Sequence, residues 1–384
     1  MATQEQVHEA FKQHFNKQPR AFFAPGRINL IGEHIDYNDG FVMPAAIDKG
    51  IFFCIAPNDS NEVNFVSADL DETYTTSLNS IAKNDGWKNY VLGVLYVLQQ
   101  HGYTVKGVDC AFGGNLPVGA GLSSSAAVEG GLLFGLNELF GLGMDRVKMS
   151  LLAQEAEHAF PGVKCGIMDM FASLNGKKDH VLLLDCTSLA YQYFPLQLDD
   201  YRIVLINTKV SHSLTSGGYN NRRQNCEDGI KILQAANSAY TSFRNIPSKE
   251  LVNYKAILGD EIYKRCLFVT QEIERTQLAA NYLQQNDLAA FGKIMFEGHE
   301  GLSKLYEVSC PESDFLVDEA RKHTAVLGAR QMGGGFGGCT INIIAKEKAA
   351  AIVESITTAY QQKFGITAEV YEMGISDGTY ETAL

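Results

Sequence analysis

The sequence predicts an α+β fold. Strand-like and helix-like segments are interspersed along it without an internal repeat or a low-complexity tract. Its end alternates openly, with a strand pattern at residues 339–345, a helix at 346–364 and a strand at 367–372. A length of 384 residues suits two domains or one large one, with ample material for a buried core. The division is expected near residues 186–200, which gives an N-terminal domain over 1–190 and a C-terminal domain over 191–384.

Taken in order, residues 3–16 set Val7, Ala10, Phe11 and Phe15 at helical spacing and lead into a first strand at 20–24. Strand signals follow at 51–57 and 63–68. Residues 87–101 read as a helix with Tyr90, Val94, Val97 and Leu98 on one side, and 107–113 as a strand feeding a glycine–serine loop. Residues 124–140 form a helix with little charge, hence a largely buried one. Another helix at 144–159 precedes the segment 162–170; strands at 180–185 and 202–207 follow, and 219–240 and 261–300 are mostly helical.

A hydrophobic content of 46% with 20% charged residues fits an ordinary globular protein. The net charge of -12 argues against nucleic acid or an anionic membrane as a partner. Eight cysteines lie far apart, with no CxxC pair and no neighbouring histidines, so free thiols in a reducing cytoplasm are expected rather than a zinc site or a disulfide framework. The first residues lack a basic start with an apolar run, and no apolar stretch reaches membrane-spanning length.

Residues 115–126 read NLPVGAGLSSSA and open the buried helix. Gly119 and Gly121 let backbone N–H groups approach an anion, the helix start adds unpaired donors, and the hydroxyls of Ser123, Ser124 and Ser125 supply hydrogen bonds or a magnesium ligand. This is the chemistry of a polyphosphate cradle; a serine-capped turn would use the same residues. It is not a Walker A loop, because Ala120 stands where the lysine belongs.

Residues 24–40 gather Arg27, Glu33, His34, Asp36 and Asp39 into one glycine-punctuated segment, a density of hydrogen-bonding groups that suits a polyol or an ordinary polar turn. In CGIMDM, residues 165–170, Asp169 sits between apolar neighbours, where solvent is expected to be scarce; a nearby cation such as Arg27 would keep it ionised and able to accept a hydroxyl proton. Glu157, on the preceding helix, is a candidate for a magnesium shell completed by phosphate and water, or a solvated helix face. Residues 333–338, GGGFGG, match a dinucleotide fingerprint only formally, since a strand follows; a loop pressing its backbone on a ligand or on the other domain fits better. Tyr219 lies beside flexible glycines at a helix start.

Together these segments resemble the galactokinases of the GHMP small-molecule kinase superfamily, over nearly the whole chain. The resemblance rests on GRINLIGEHIDY at 26–37, PVGAGLSSSA at 117–126 and GGGFGG at 333–338, with CGIMD at 165–169 and GYNNRR at 218–223 closer to the galactose branch. It implies a two-domain GHMP kinase fold: an N-terminal domain similar to ribosomal S5 domain 2 that carries the sugar and ATP loops, and a ferredoxin-like C-terminal domain. It implies Mg-ATP-dependent phosphorylation of α-D-galactose to the 1-phosphate by a cytoplasmic monomer. By position, Glu33, His34, Asp36, Gly166 and Tyr219 would bind the sugar, Asp169 would accept the C1 hydroxyl proton, and Arg27 would hold Asp169 ionised. Gly119, Ala120, Gly121, Leu122, Ser123, Ser124 and Ser125 would enclose the triphosphate, Ser67 would lie near the nucleotide, and Ser125 and Glu157 would hold Mg2+. Whether Asp169 removes the proton early or only orients the hydroxyl, the sequence leaves open.

Two positions depart from the family pattern: Ile35 replaces a threonine and Met170 a glutamine, which points to altered packing around the sugar. The rival readings are an N-acetylgalactosamine kinase or other GHMP small-molecule kinase, and a non-catalytic galactose sensor. Sensors of that kind lose residues in the serine-rich loop, whereas Ser125 and Ala126 are both present.

Overall fold

The computed structural model describes residues 1–117, 119–211 and 215–384; Val118, in the glycine–serine segment, lies outside the described residues. The first helix, α1 (Gln4–His14), opens with a capping box between Thr3 and Gln6 and buries Val7 and Phe11. Five strands follow: β1 (Arg20–Asn29), β2 (Phe41–Val42), β3 (Pro44–Pro57), β4 (Glu62–Ser67) and β5 (Glu72–Ser77). Then come α2 (Lys88–Gln100), β6 (Val108–Gly114), α3 (Ser124–Phe140), α4 (Arg146–Ala159) and α5 (Met168–Asn175).

Strands β1, β3, β4, β5 and β6 build a six-stranded sheet whose outer place beside β1 is taken by the last strand of the chain. Its β4–β6 pair is parallel, and the crossover between the two runs through β5 and α2. One face packs on α2 and α3 in the main core; the other lies under α1, where Val7 and Phe11 meet Cys54, Val66 and Ala111. The strand expected at 20–24 runs on to Asn29, because a bulge between Pro25 and Arg27 lets the ladder resume with β3. Bulges re-aim side chains, and Arg27 is the one delivered here to the site.

The second half runs β7 (His180–Asp185), β8 (Tyr191–Pro195), β9 (Tyr201–Ser211), α6 (Thr215–Ala236) and α7 (Lys255–Gln284), which is turned at Gly259 (φ 71°). It continues with α8 (Leu288–Gly301), α9 (Pro311–Arg321), β10 (Val326–Gln331), β11 (Gly337–Ala345), α10 (Ala349–Phe364), β12 (Glu369–Met373) and β13 (Tyr380–Thr382). Strands β10, β11, β9 and β12 form an antiparallel sheet backed by Leu316 and Val317 of α9 and by Ile356 and Tyr360 of α10. Strands β2, β7 and β8 make a third, small sheet, and β13 returns to the first, with Tyr380 opposite Phe23. The helix read from residue 346 starts at Ala349, after a single 3-10 turn at Lys346–Lys348. No helix among the described residues is long and apolar enough to cross a membrane.

Candidate active site

The site is organised around Arg27 and Asp169. Asp169 stands in the first turn of α5, and both its carboxylate oxygens receive the Arg27 guanidinium, at 2.8 Å from Nε and 2.9 Å from Nη2. Arg27 Nη1 donates to the Gly121 carbonyl at 2.6 Å, and the Ser123 hydroxyl donates to Asp169 Oδ2. Burial weighs against the charge on Arg27, but Asp169, with Glu33 and Asp36 beyond it, holds its pKa above the usual value. The expectation of scarce solvent at Asp169 needs correcting: its side chain is 26% exposed, while that of Arg27 is 5% exposed. Met170 points into the core, Met168 lines the same cavity of about 610 Å³, and the carboxylate faces that cavity.

Glu33, His34, Asp36, Gly166 and Tyr219 all line this cavity, with Arg27 and Asp169. Glu33 is fully buried: Oε1 accepts from Gly333 N at 2.7 Å and from Arg330 at 3.0 Å, and Oε2 from the Asn29 amide. Burial raises its pKa even against these donors. Burial, then the negative Asp169, push Asp36 up to about 7, whereas burial pulls His34 down to about 3 and keeps its ring neutral. The Tyr219 ring stands 5.4 Å from that of His34. A Cβ on Gly166 would meet Asp36 Oδ2 at 1.8 Å, so only glycine lets the two loops close around this wall.

Gly119 and Gly121 take positive φ (73° and 71°), and Ser123, φ 59°, gives α3 no side-chain cap. The first N–H groups of α3 therefore point toward the loop without intrahelical partners. Ser125 Oγ lies 3.3 Å from Glu157 Oε2, and Glu157 lines the cavity. Burial and Asp169 push Glu157 up to about 7. Ser67 ends β4, buried opposite Glu72 and Phe112, and does not line this cavity.

Sequence reasoning missed several groups. Arg330, fully buried, donates to the carbonyls of Leu30, Asn29 and Gln331 as well as to Glu33. Glu129, buried on α3, is pushed well above the usual carboxylate range by burial and by Glu157; its signal was a carboxylate set between the apolar residues Ala126–Val128 and Leu132–Phe134. Pro161, Gly162, Val163 and Asn220 complete the rim beside motifs already singled out. The loop at 333–335 lines the cavity and also touches the first half of the chain: Gly334 O lies 3.2 Å from His34 Nε2, and the Gly333 Cα faces Gly121 O.

The galactokinase galactose-binding signature matches residues 9–57, the GHMP kinases N terminal domain residues 89–177 and the GHMP kinases C terminal residues 279–362. The chain is 41% identical over 355 residues to the galactokinase of Thermotoga maritima, covering 92% of this chain and 98% of that one. It is 40% identical over 383 residues to the galactokinase of Clostridium perfringens, covering 98% of each. Its structure superposes on Lactococcus lactis galactokinase complexed with galactose with a TM-score of 0.94 at 34% identity, covering 98% of this chain and 99% of that one. A mevalonate kinase structure at 18% identity, TM-score 0.65, shares the fold. The α+β architecture is thus that of the GHMP kinases, and the chain belongs to the galactokinase family.

Proposed function

We propose that the chain transfers the γ-phosphoryl group of ATP to the C1 hydroxyl of α-D-galactose, with Asp169 as proton acceptor. The observation that carries this reading is the Arg27 clamp on Asp169, which joins a cavity-facing carboxylate to the carbonyl of the glycine–serine loop. One bond forms, from the C1 oxygen to the γ-phosphorus, and one breaks, from that phosphorus to the β,γ-bridging oxygen. The hydroxyl proton passes to Asp169, and ADP leaves. Such transfer asks the protein mainly for in-line positioning and for compensation of spreading negative charge. Arg27 supplies a fixed cation for that charge and holds the Asp169 carboxylate in place through two hydrogen bonds.

Glu33, His34, Asp36, Gly166 and Tyr219 form the sugar wall in this reading. Residues 119–125 enclose the triphosphate through backbone N–H groups at the start of α3. Ser67 is assigned to the outer edge of the nucleotide region. The donor set fits Mg2+: Ser125 and Glu157 offer hard oxygens side by side, and no self-sufficient metal cage of His, Cys, Asp or Glu occurs among the described residues, as suits an ion that keeps water and phosphate oxygens. When bound, the ion would neutralise phosphate charge. The domain division at 190/191 separates β7 from β8, two paired strands, so the two parts share a small sheet. Eight unpaired thiols support a reducing, cytoplasmic setting.

The test is incubation with ATP, magnesium and a sugar panel that includes N-acetylgalactosamine, read by phosphorus NMR. A sugar 1-phosphate from galactose is expected; galactose binding without any phosphorylated product would turn the reading to a sensor.

A further inference from the structure

Behind the cavity wall a string of hydroxyls and one thiol ends on His34. His34 Nε2 lies 3.2 Å from the Gly334 carbonyl oxygen, and Nδ1 lies 2.7 Å from Tyr37 Oη. Tyr37 Oη is 3.0 Å from Tyr306 Oη, which is 3.2 Å from Cys226 Sγ. Cys226 sits on α6, Tyr306 ends the turn Leu302–Tyr306, Tyr37 lies in the turn Asp36–Asn38, and Gly334 joins β10 to β11. Four separate pieces of the chain therefore meet through one line of polar atoms.

The direction of every bond follows from one end. A carbonyl oxygen only accepts, so Nε2 must carry the proton. His34 is 5% exposed and burial keeps the ring neutral, which leaves Nδ1 as a bare acceptor. Tyr37 has one proton and gives it to Nδ1, so it can only receive from Tyr306. Tyr306 has then used its own proton, and it receives from the Cys226 thiol. Reversing any link would leave two donors or two acceptors facing one another in a buried site, at a cost of about 1–3 kcal/mol.

We propose that Cys226, Tyr306 and Tyr37 are positioning residues, a one-way donor chain that, opposite the Gly334 carbonyl, holds the His34 ring as its Nε2–H tautomer and thereby pins the Gly334 loop against the sugar-facing segment. This rests on the sugar-wall reading above for its consequence in catalysis. The chain acts through His34 and Gly334 and does not touch the reacting atoms. Galactose recognition therefore depends on residues of α6 and of the turn after α8, although neither Cys226 nor Tyr306 lines the cavity.

The test uses the full chain labelled with 15N-histidine, with His34→Asn to assign the His34 signals in long-range proton–nitrogen spectra. The unmodified protein is expected to show Nε2 protonated. Tyr37→Phe, which removes the donor to Nδ1 and leaves the Gly334 carbonyl alone to hold the ring, is expected to keep Nε2 protonated, to move the Nδ1 signal toward that of a ring nitrogen without a hydrogen bond, and to raise the galactose KM about tenfold, one hydrogen bond's worth, with ATP KM unchanged. Tyr306→Phe should act in the same direction, and serves if the first variant does not fold. Cys226→Ser keeps a donor and should keep both the tautomer and the KM. An Nδ1-protonated His34 in the unmodified protein overturns the proposal, as do Phe variants with an unchanged Nδ1 signal or unchanged galactose KM. Unmodified protein with the expected tautomer that forms no galactose 1-phosphate would instead count against the proposed function and leave the donor chain standing.

Discussion

Arg27 and Asp169, 142 residues apart in sequence, meet in a two-bond clamp that leaves the carboxylate open to the cavity on one side. The clamp fixes the Asp169 carboxylate in place without sealing it off, as the proposed role of proton acceptor needs. Replacing it by Asn keeps the shape and removes the acceptor. Asp169→Asn is expected to lower kcat by about 10²–10⁴-fold with nucleotide binding retained, measured by coupled ADP release and by nucleotide titration. Near-normal turnover would take Asp169 out of the mechanism.

Gly166 and Asp36 set the second expectation. A methyl group at 166 would lie 1.8 Å from Asp36 Oδ2 and 2.2 Å from its Cγ, so the carboxylate must move. A displacement of about 1 Å at a positioning group costs on the order of 10²-fold in efficiency. Gly166→Ala should therefore lower kcat/KM for galactose by about that factor and leave the ATP KM unchanged. Steady-state kinetics with each substrate varied in turn decides this, and equal losses for both substrates would refute it.

Acidity around the cavity makes stability depend on pH. Asp36 and Glu157 both stand at about 7 in the folded chain, above their ordinary values of 3.8 and 4.5, chiefly through burial and then through Asp169. The folded state thus holds protons that the unfolded chain has released, so this stability is present below the ordinary values and is lost as pH rises toward 7. His34 works in the opposite sense: burial takes it from 6.5 to about 3, so its contribution is present above 6.5 and fades below. Between pH 6.5 and 7.5 the carboxylates dominate. The thermal midpoint of the ligand-free protein should fall across that window, and Asp36→Asn should make the fall shallower; an identical slope in the variant would contradict the assignment.

Much of this site was legible because local patterns carried it. The helix expected at 124–140 matches α3 from end to end, since a serine run followed by a long, mostly apolar stretch has few other uses. Arg27 beside Asp169 was anticipated from charge alone, because a carboxylate with a poorly solvated setting needs a cation. The solvent exposure of Asp169 was not, since it depends on which way the first turn of α5 faces. Helix α9 was passed over although Pro311 and Glu312 mark its start, and β13 is three residues that form a strand only against β1. The role of Arg330 was hidden for a different reason: its partner carbonyls at Asn29 and Leu30 lie 301 and 300 residues away, and no periodicity reports a contact at that distance.

Arg330 also yields a stability prediction. Its guanidinium is fully buried and serves three backbone carbonyls and the equally buried Glu33. Arg330→Met removes the cation and leaves Glu33 with only the Asn29 amide and the Gly333 N–H. Breaking a buried pair from one side costs about 3–5 kcal/mol, which urea unfolding would register as a lower midpoint. A variant as stable as the parent would mean that Glu33 takes up a proton at little cost.

The two departures from the family pattern fall outside the cavity wall. Ile35 is fully buried among Val42, Phe171 and Leu184, and Met170 packs against Ala126 of α3 and Ala153 of α4. Neither side chain lines the cavity, although each is next in sequence to a residue that does. Their substitution by the more usual polar residues should therefore alter the core and leave sugar choice alone. Ile35→Thr and Met170→Gln each bury a new polar group and are expected to cost about 1–3 kcal/mol in urea unfolding. The ratio of kcat/KM for galactose to that for N-acetylgalactosamine should stay constant in both variants. A shifted ratio at unchanged stability would show that these positions steer the sugar through Asp36 or Asp169, and would move them from packing to recognition.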